Sequence, residues 1–148
     1  MQSTKVEQQY RAPSDILEKQ RELLGITTPQ VSVVPSPLPL VGTWMNVDHA
    51  TRGLIRVMIG ANGNEITVHG FGACSPTPCD WGQVNGLIYA DNVCATPAVA
   101  FTATYTFAFK VTNIVGHLFN GALFVETFDH FTDQSGRADY YSLDFMTK

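Results

Sequence analysis

Leu40-Val41-Gly42-Thr43-Trp44-Met45-Asn46-Val47-Asp48 is the stretch whose reading decides the fold. Successive side chains of a strand point to opposite faces. Read as a strand over about 41–48, it carries Trp44, Asn46 and Asp48 on one side. Everything downstream alternates strand and turn. Thr51-Arg52-Gly53 turns the chain, and 54–60 alternates Ile55, Val57 and Ile59 against Leu54, Arg56 and Met58. Asn62-Gly63 is a strong hairpin signal. A strand over 65–71 follows, then a loop from Ala73 to Asp80, a strand over 81–90, and a second loop from Asp91 to Pro97.

From Ala98 to Phe109 the alternation is long and strict. Val99, Phe101, Ala103, Tyr105, Phe107 and Phe109 share one face, with Thr102, Thr104 and Thr106 on the other. This is longer than an ordinary strand, so a split or bend is expected near Thr104, with the pattern continuing to about Val115. Asn120-Gly121 and Asp133-Gln134-Ser135-Gly136 are the remaining turn signals. They leave strands over 122–131 and 137–147. Seven or eight antiparallel strands with short connections close most readily into an up-and-down barrel, which has no exposed edges. The predicted fold is all-β: an eight-stranded antiparallel up-and-down barrel over 40–148, preceded by an N-terminal helix.

That helix is expected over about 14–24. Asp15 followed by Glu18 fits a capping box, Ile16, Leu17, Leu23 and Leu24 form an apolar stripe, and Gly25 is a natural stop. Pro29, Pro35, Pro37 and Pro39 then make an extended connector. Residues 1–39 are therefore separated from the barrel. Their helix has three readings: packing across the barrel, a lid over a pocket, or an arm to a second subunit.

Composition narrows the function. The chain of 148 residues suits one domain with a real core. Its net charge of -4, with 9 scattered Lys and Arg, argues against nucleic acid. No window is apolar over the ~20 residues of a membrane-spanning helix, so no membrane partner is expected. The polar N-terminus lacks a signal-peptide core, and a cytoplasmic location is expected. Only 15% of residues are charged, against roughly a quarter in average proteins. Few charges are left to cover the outside of a closed sheet, so a homodimer or larger assembly is expected. Cys74 and Cys79 are expected as free thiols in that compartment. His69, Cys74 and Cys79 are spaced too loosely for the usual zinc pairs. No metal and no cofactor is expected.

Gly42-Thr43-Trp44 resembles the G-x-W start of lipocalins and other calycins, and Gly42-Thr43-Trp44-Met45-Asn46 resembles the start of avidins. The resemblance implies an eight-stranded barrel with a ligand cavity at one end. Avidins cage biotin with several tryptophans, whereas this chain has only Trp44 and Trp81, so biotin is not expected. Thr51 to Val57 together with Cys74 to Gly82 also resembles a group of bacterial barrel proteins of unassigned activity, which bears on the fold alone.

Candidate site residues follow from charges and aromatics in the strands. Trp44 reads as a plug in the barrel floor. An inward Asn46 needs a partner, from the protein or a ligand. Arg56 and Glu126 both sit in apolar company: either they are solvated on an outer, interface-forming face, or they pair inside the lumen. Inward, Glu126 becomes a general acid or base, as does Tyr105. Asp129-His130 and Asp139-Tyr140-Tyr141 are similar candidates near strand ends. Phe101, Phe107, Phe124 and Tyr141 would wall a cavity for a small, largely apolar molecule. Three functions are compatible with these residues. They are binding of such a molecule, a cyclase or isomerase working inside the lumen on a natural-product-like substrate, and an oligomeric interaction protein with a filled barrel.

Overall fold

The computed structural model describes Lys19, Gln20, Leu23 and residues 33–148. Of the helix expected over 14–24, Lys19, Gln20 and Leu23 are helical; the remainder of that segment lies outside the described residues. The barrel unit runs from Val34 to Lys148. Its strands are β1 (Gly42–Asn46), β2 (Leu54–Asn62), β3 (Glu65–Gly72), β4 (Cys79–Ala90), β5 (Ala98–Thr106), β6 (Lys110–Phe119), β7 (Ala122–Phe131) and β8 (Tyr140–Thr147). Each pairs antiparallel with its sequence neighbours, and β1 pairs with β8 through Met45↔Thr147 and Asn46↔Met146, which closes the barrel.

Alternation sorts the side chains as strand geometry requires. Val57, Ile59, Ile66, Val68, Ile114 and Val125 fill the middle of the barrel and are almost wholly buried. Phe101 lies over Gly116, its partner across the β5–β6 ladder. A Cβ at Gly116 would overlap the Phe101 ring, so the glycine makes room for the largest side chain of that layer. At the floor, Trp44 donates its indole N–H to Leu40 O at 2.8 Å, and Leu40 is itself fully buried. The end of the proline connector is tied there too: Ala98 N–H donates to Ser36 O at 2.9 Å. Asn120-Gly121 closes the β6–β7 hairpin with both residues at positive φ, 50° and 79°, as a tight two-residue turn of that hand demands.

Four expectations are corrected. The long pattern over 98–109 does not bend at Thr104; it reverses at residues 107–109, where Phe107 N–H donates to Lys110 O at 2.8 Å. No Gly or Pro marks this turn; the stacked rings of Phe107 and Phe109 hold it. The last strand begins at Tyr140 rather than 137, because Arg137 is held in the preceding loop by Asp133 at 2.7 Å and lies over the Phe131 ring at 4.2 Å. Leu54 and Arg56 do not share a face: the ladder between β2 and β3 shifts register between them. An extra residue in one strand does this, sending Leu54 inward and Arg56 outward. Cys74 and Cys79 are bonded to each other across the β3–β4 loop, which removes both sulfurs from the His69 set weighed as metal ligands.

Candidate functional site

The open end of the barrel is built from the starts of β2, β4, β6 and β8 and the ends of β3, β5 and β7. The apolar inward rows turn polar here. Along β7, Leu123 and Val125 give way to Thr127 and Asp129; along β6, Ile114 is preceded by Thr112 and Lys110. Asp129 is 4% exposed and Thr127 3%. A buried carboxylate has to be paired and hydrogen-bonded, and Asp129 is. Lys110 Nζ stands 3.0 Å from its Oδ1, and the Thr112 hydroxyl donates to the same oxygen. Burial first, and then Asp129, hold the Tyr140 phenol above its ordinary pKa.

Aromatic rings wall the ammonium. Lys110 Nζ lies 5.4 Å from the Trp81 ring, 5.5 Å from Phe107 and 5.7 Å from Phe109, within cation–π reach. Trp81 meets Tyr105 and Phe107 edge-on at 5.6 and 5.7 Å. Between these groups is a partly open cavity of about 170 Å³, lined by Leu54, Trp81, Lys110, Thr127, Asp129 and Tyr140, with Arg52, Ser142 and the Cys74–Cys79 bridge at its rim. Thr127 lines this space, and its buried hydroxyl makes no hydrogen bond among the described residues. Burying a hydroxyl without a partner is unfavourable, so this atom marks where an incoming polar group would be stabilised.

Of the residues singled out from sequence, Trp44 and Phe101 occupy the interior. Asn46 is also inside, donating to Leu54 O at 2.8 Å and to Asp144 Oδ1 at 2.9 Å. Tyr105 is inside as well, and its hydroxyl is fully engaged. It accepts from Gly70 N–H at 3.0 Å and shares its proton between Val68 O at 2.9 Å and Gly82 O at 2.8 Å. Burial raises its pKa. Phe107 reaches the rim beside Trp81. Arg56, Glu126, Phe124 and Tyr141 lie outside. The Arg56 guanidinium sits over Phe71 at 4.0 Å; Phe124 meets Phe145 edge-on; Glu126 is beside Tyr141. Arg56 and Glu126 are therefore not brought together in the lumen, and neither Tyr105 nor Glu126 lines the mouth cavity.

Lys110 and Thr127 escaped the sequence reading. Their signal was an apolar alternating row that ends in polar residues on two neighbouring strands at the same rim. Asp129 and Tyr140 were candidates near strand ends, and the structure places them on one cavity.

Below the mouth, Asp144 binds Asn46, and its second oxygen is buried without a hydrogen bond of normal geometry, the Thr51 hydroxyl standing nearby. Burial raises the Asp144 pKa; Asn46 and Thr51 oppose this, and Asp48 adds to it. A carboxyl whose folded pKa lies above its unfolded value destabilises the folded state once it ionises, and the penalty fades as pH falls through the folded value toward the ordinary aspartate range. Asp144→Asn should therefore gain stability relative to wild type at neutral pH, and the gain should shrink as pH is lowered toward 4. Thermal melts of both proteins across that range check this. A gap that widens in acid would contradict the assignment.

The closed eight-stranded antiparallel barrel is compatible with the calycin-like resemblance. No protein-family model, curated protein or solved structure matches the chain.

Proposed function

We propose that this barrel binds a small molecule at its mouth, in the cavity between Trp81 and the Lys110–Asp129 pair. The observation that carries the reading is the cavity itself, which gathers Trp81, the Lys110–Asp129 pair and Thr127, whose buried hydroxyl has no partner among the described residues. The floor is packed by the buried side chains of Trp44, Phe101 and Leu40. A ligand here meets an indole and Leu54 on one side and ions and hydroxyls on the other. It is therefore small and amphipathic, and its apolar part rests on Trp81. The two indole N–H signals of the protein report this in solution. A set of single-ring compounds, charged and neutral, should include members that shift the Trp81 signal saturably. The Trp44 signal, in the floor, should stay in place. If no compound moves Trp81, the mouth is not a binding site.

A second reading is favoured by the outer face of β6, β7 and β8. Phe124 packs on Phe119 at 5.8 Å and on Phe145 at 4.8 Å, and Phe128 packs on Tyr141 at 5.2 Å, all facing away from the core. Leu143 and Phe145 are 43% and 44% exposed. Exposed apolar surface of this kind, with Glu126 among the rings, supports contact with another protein surface, and identical chains most often pair about a twofold axis. Two copies joined through this face would scatter light as twice the 16.2 kDa chain. Phe145→Glu, a change on the outside of the sheet, should return the particle to one chain. A wild-type protein already at one chain mass would remove this reading.

A further inference from the structure

The polar groups around the mouth are unequally satisfied, and the imbalance has a sign. Asp129, the acceptor of the site, already accepts from the Thr112 hydroxyl and is paired with Lys110, both at Oδ1. The donors are in surplus. The Lys110 ammonium carries three N–H bonds, and its described polar partner is Asp129 alone. Its other neighbours are ring faces. The Thr127 hydroxyl has no partner among the described residues. Arg52 lines the same cavity from the exposed β1–β2 loop, and its guanidinium makes no hydrogen bond among the described residues. Two cationic residues and one carboxylate line this space.

We infer that the mouth takes an anion: a small carboxylate carried on a flat apolar body, with the carboxylate at Lys110, Thr127 and Arg52 and the body against Trp81. This rests on the reading that the mouth binds a small molecule. A carboxylate supplies acceptors only, which is what the unused donors lack. Charge-assisted hydrogen bonds to it are stronger than neutral ones, and the partly enclosed site weakens the solvent screening that would otherwise erode them. An amine fits poorly, because Lys110 and Arg52 repel it. A neutral alcohol satisfies Thr127 but leaves both cations unused. The cavity of about 170 Å³ admits one ring with a short acidic arm, or several waters at about 30 Å³ each.

The test uses three probes of the same ring and different charge: benzoate, benzyl alcohol and benzylamine, titrated while the two indole N–H signals are followed. Benzoate should move Trp81 saturably, bind at least about 10-fold tighter than either congener, and weaken as salt is added. Lys110→Met would leave Asp129 unpaired and endanger folding, so two other variants carry the test. Arg52→Ala changes an exposed loop residue, and Thr127→Val keeps the shape while removing the hydroxyl. Each should lower benzoate affinity about 3- to 10-fold with little effect on benzylamine. Benzyl alcohol or benzylamine binding at the mouth as tightly as benzoate would overturn the anion assignment while leaving the mouth as a binding site. Benzoate binding indifferent to both variants would overturn it as well. If none of the three probes moves Trp81, the space holds water, and the assignment and the reading beneath it both fall.

Discussion

Asp129→Ala is expected to destabilise the barrel by about 3–5 kcal/mol, the range for removing one partner of a buried ion pair. The reason lies in what stays behind. Lys110 would keep its charge at 12% side-chain exposure with no carboxylate beside it. The Thr112 hydroxyl would lose its acceptor in the same step. Urea unfolding would register the change as a large drop in midpoint at unchanged slope. The double variant Lys110→Met with Asp129→Leu should recover much of the loss, because replacing both members of a buried pair by apolar groups is often close to neutral. A single variant within about 0.5 kcal/mol of wild type, the range of an ordinary surface change, would mean that water reaches the pair freely.

Trp44→Ala should cost a comparable amount, about 3–5 kcal/mol, through the cavity left in the floor. Trp44 is 2% exposed and sits where the β1–β8 seam is short, with few ladder hydrogen bonds to compensate. Trp44→Phe separates packing from hydrogen bonding. It keeps most of the ring volume but strands Leu40 O, which now accepts from the indole at 2.8 Å, and should cost about 1–2 kcal/mol. Denaturant melts of both variants give the two numbers. Equal losses would mean that the hydrogen bond to Leu40, not the ring volume, holds the floor.

The two predictions concern opposite ends of one lumen, and the contrast bears on the functional readings. The floor is apolar and filled; the mouth is polar and only partly filled. A largely apolar ligand deep in the lumen would have to displace Trp44 or Phe101, whereas an amphipathic one at the mouth displaces at most water. Acid–base chemistry at Glu126 would take place on the outer face, away from this cavity. The groups able to hold or move a proton at the mouth are Tyr140 and the Lys110–Asp129 pair.

The barrel itself was legible from local features. Alternation along β2, β3, β5 and β7 sets which side chains point inward, and Asn62-Gly63 and Asn120-Gly121 mark hairpins whose backbone conformation few other residue pairs accept. These are one-dimensional signals with a period of 2, so a chain read in order reveals them. The same periodicity put Trp44 and Asn46 on one face, and the calycin resemblance implied the plug at Trp44.

What escaped the linear reading depends on contacts between distant residues. The turn at 107–109 carries no turn residue, and is held by ring packing that exists only once β4 brings Trp81 alongside Phe107. The register shift after Leu54 turns Arg56 outward, and one added residue reverses every inside–outside assignment that precedes it. Lys110, Thr127, Asp129 and Tyr140 come from three strands, and closure of the barrel puts them around one space. The strands, their order and the apolar rows of a closed barrel can be read along the chain. Where those rows end in polar groups, which of these groups satisfy one another, and which donors are left over depend on distances across the lumen that no spacing along the chain encodes.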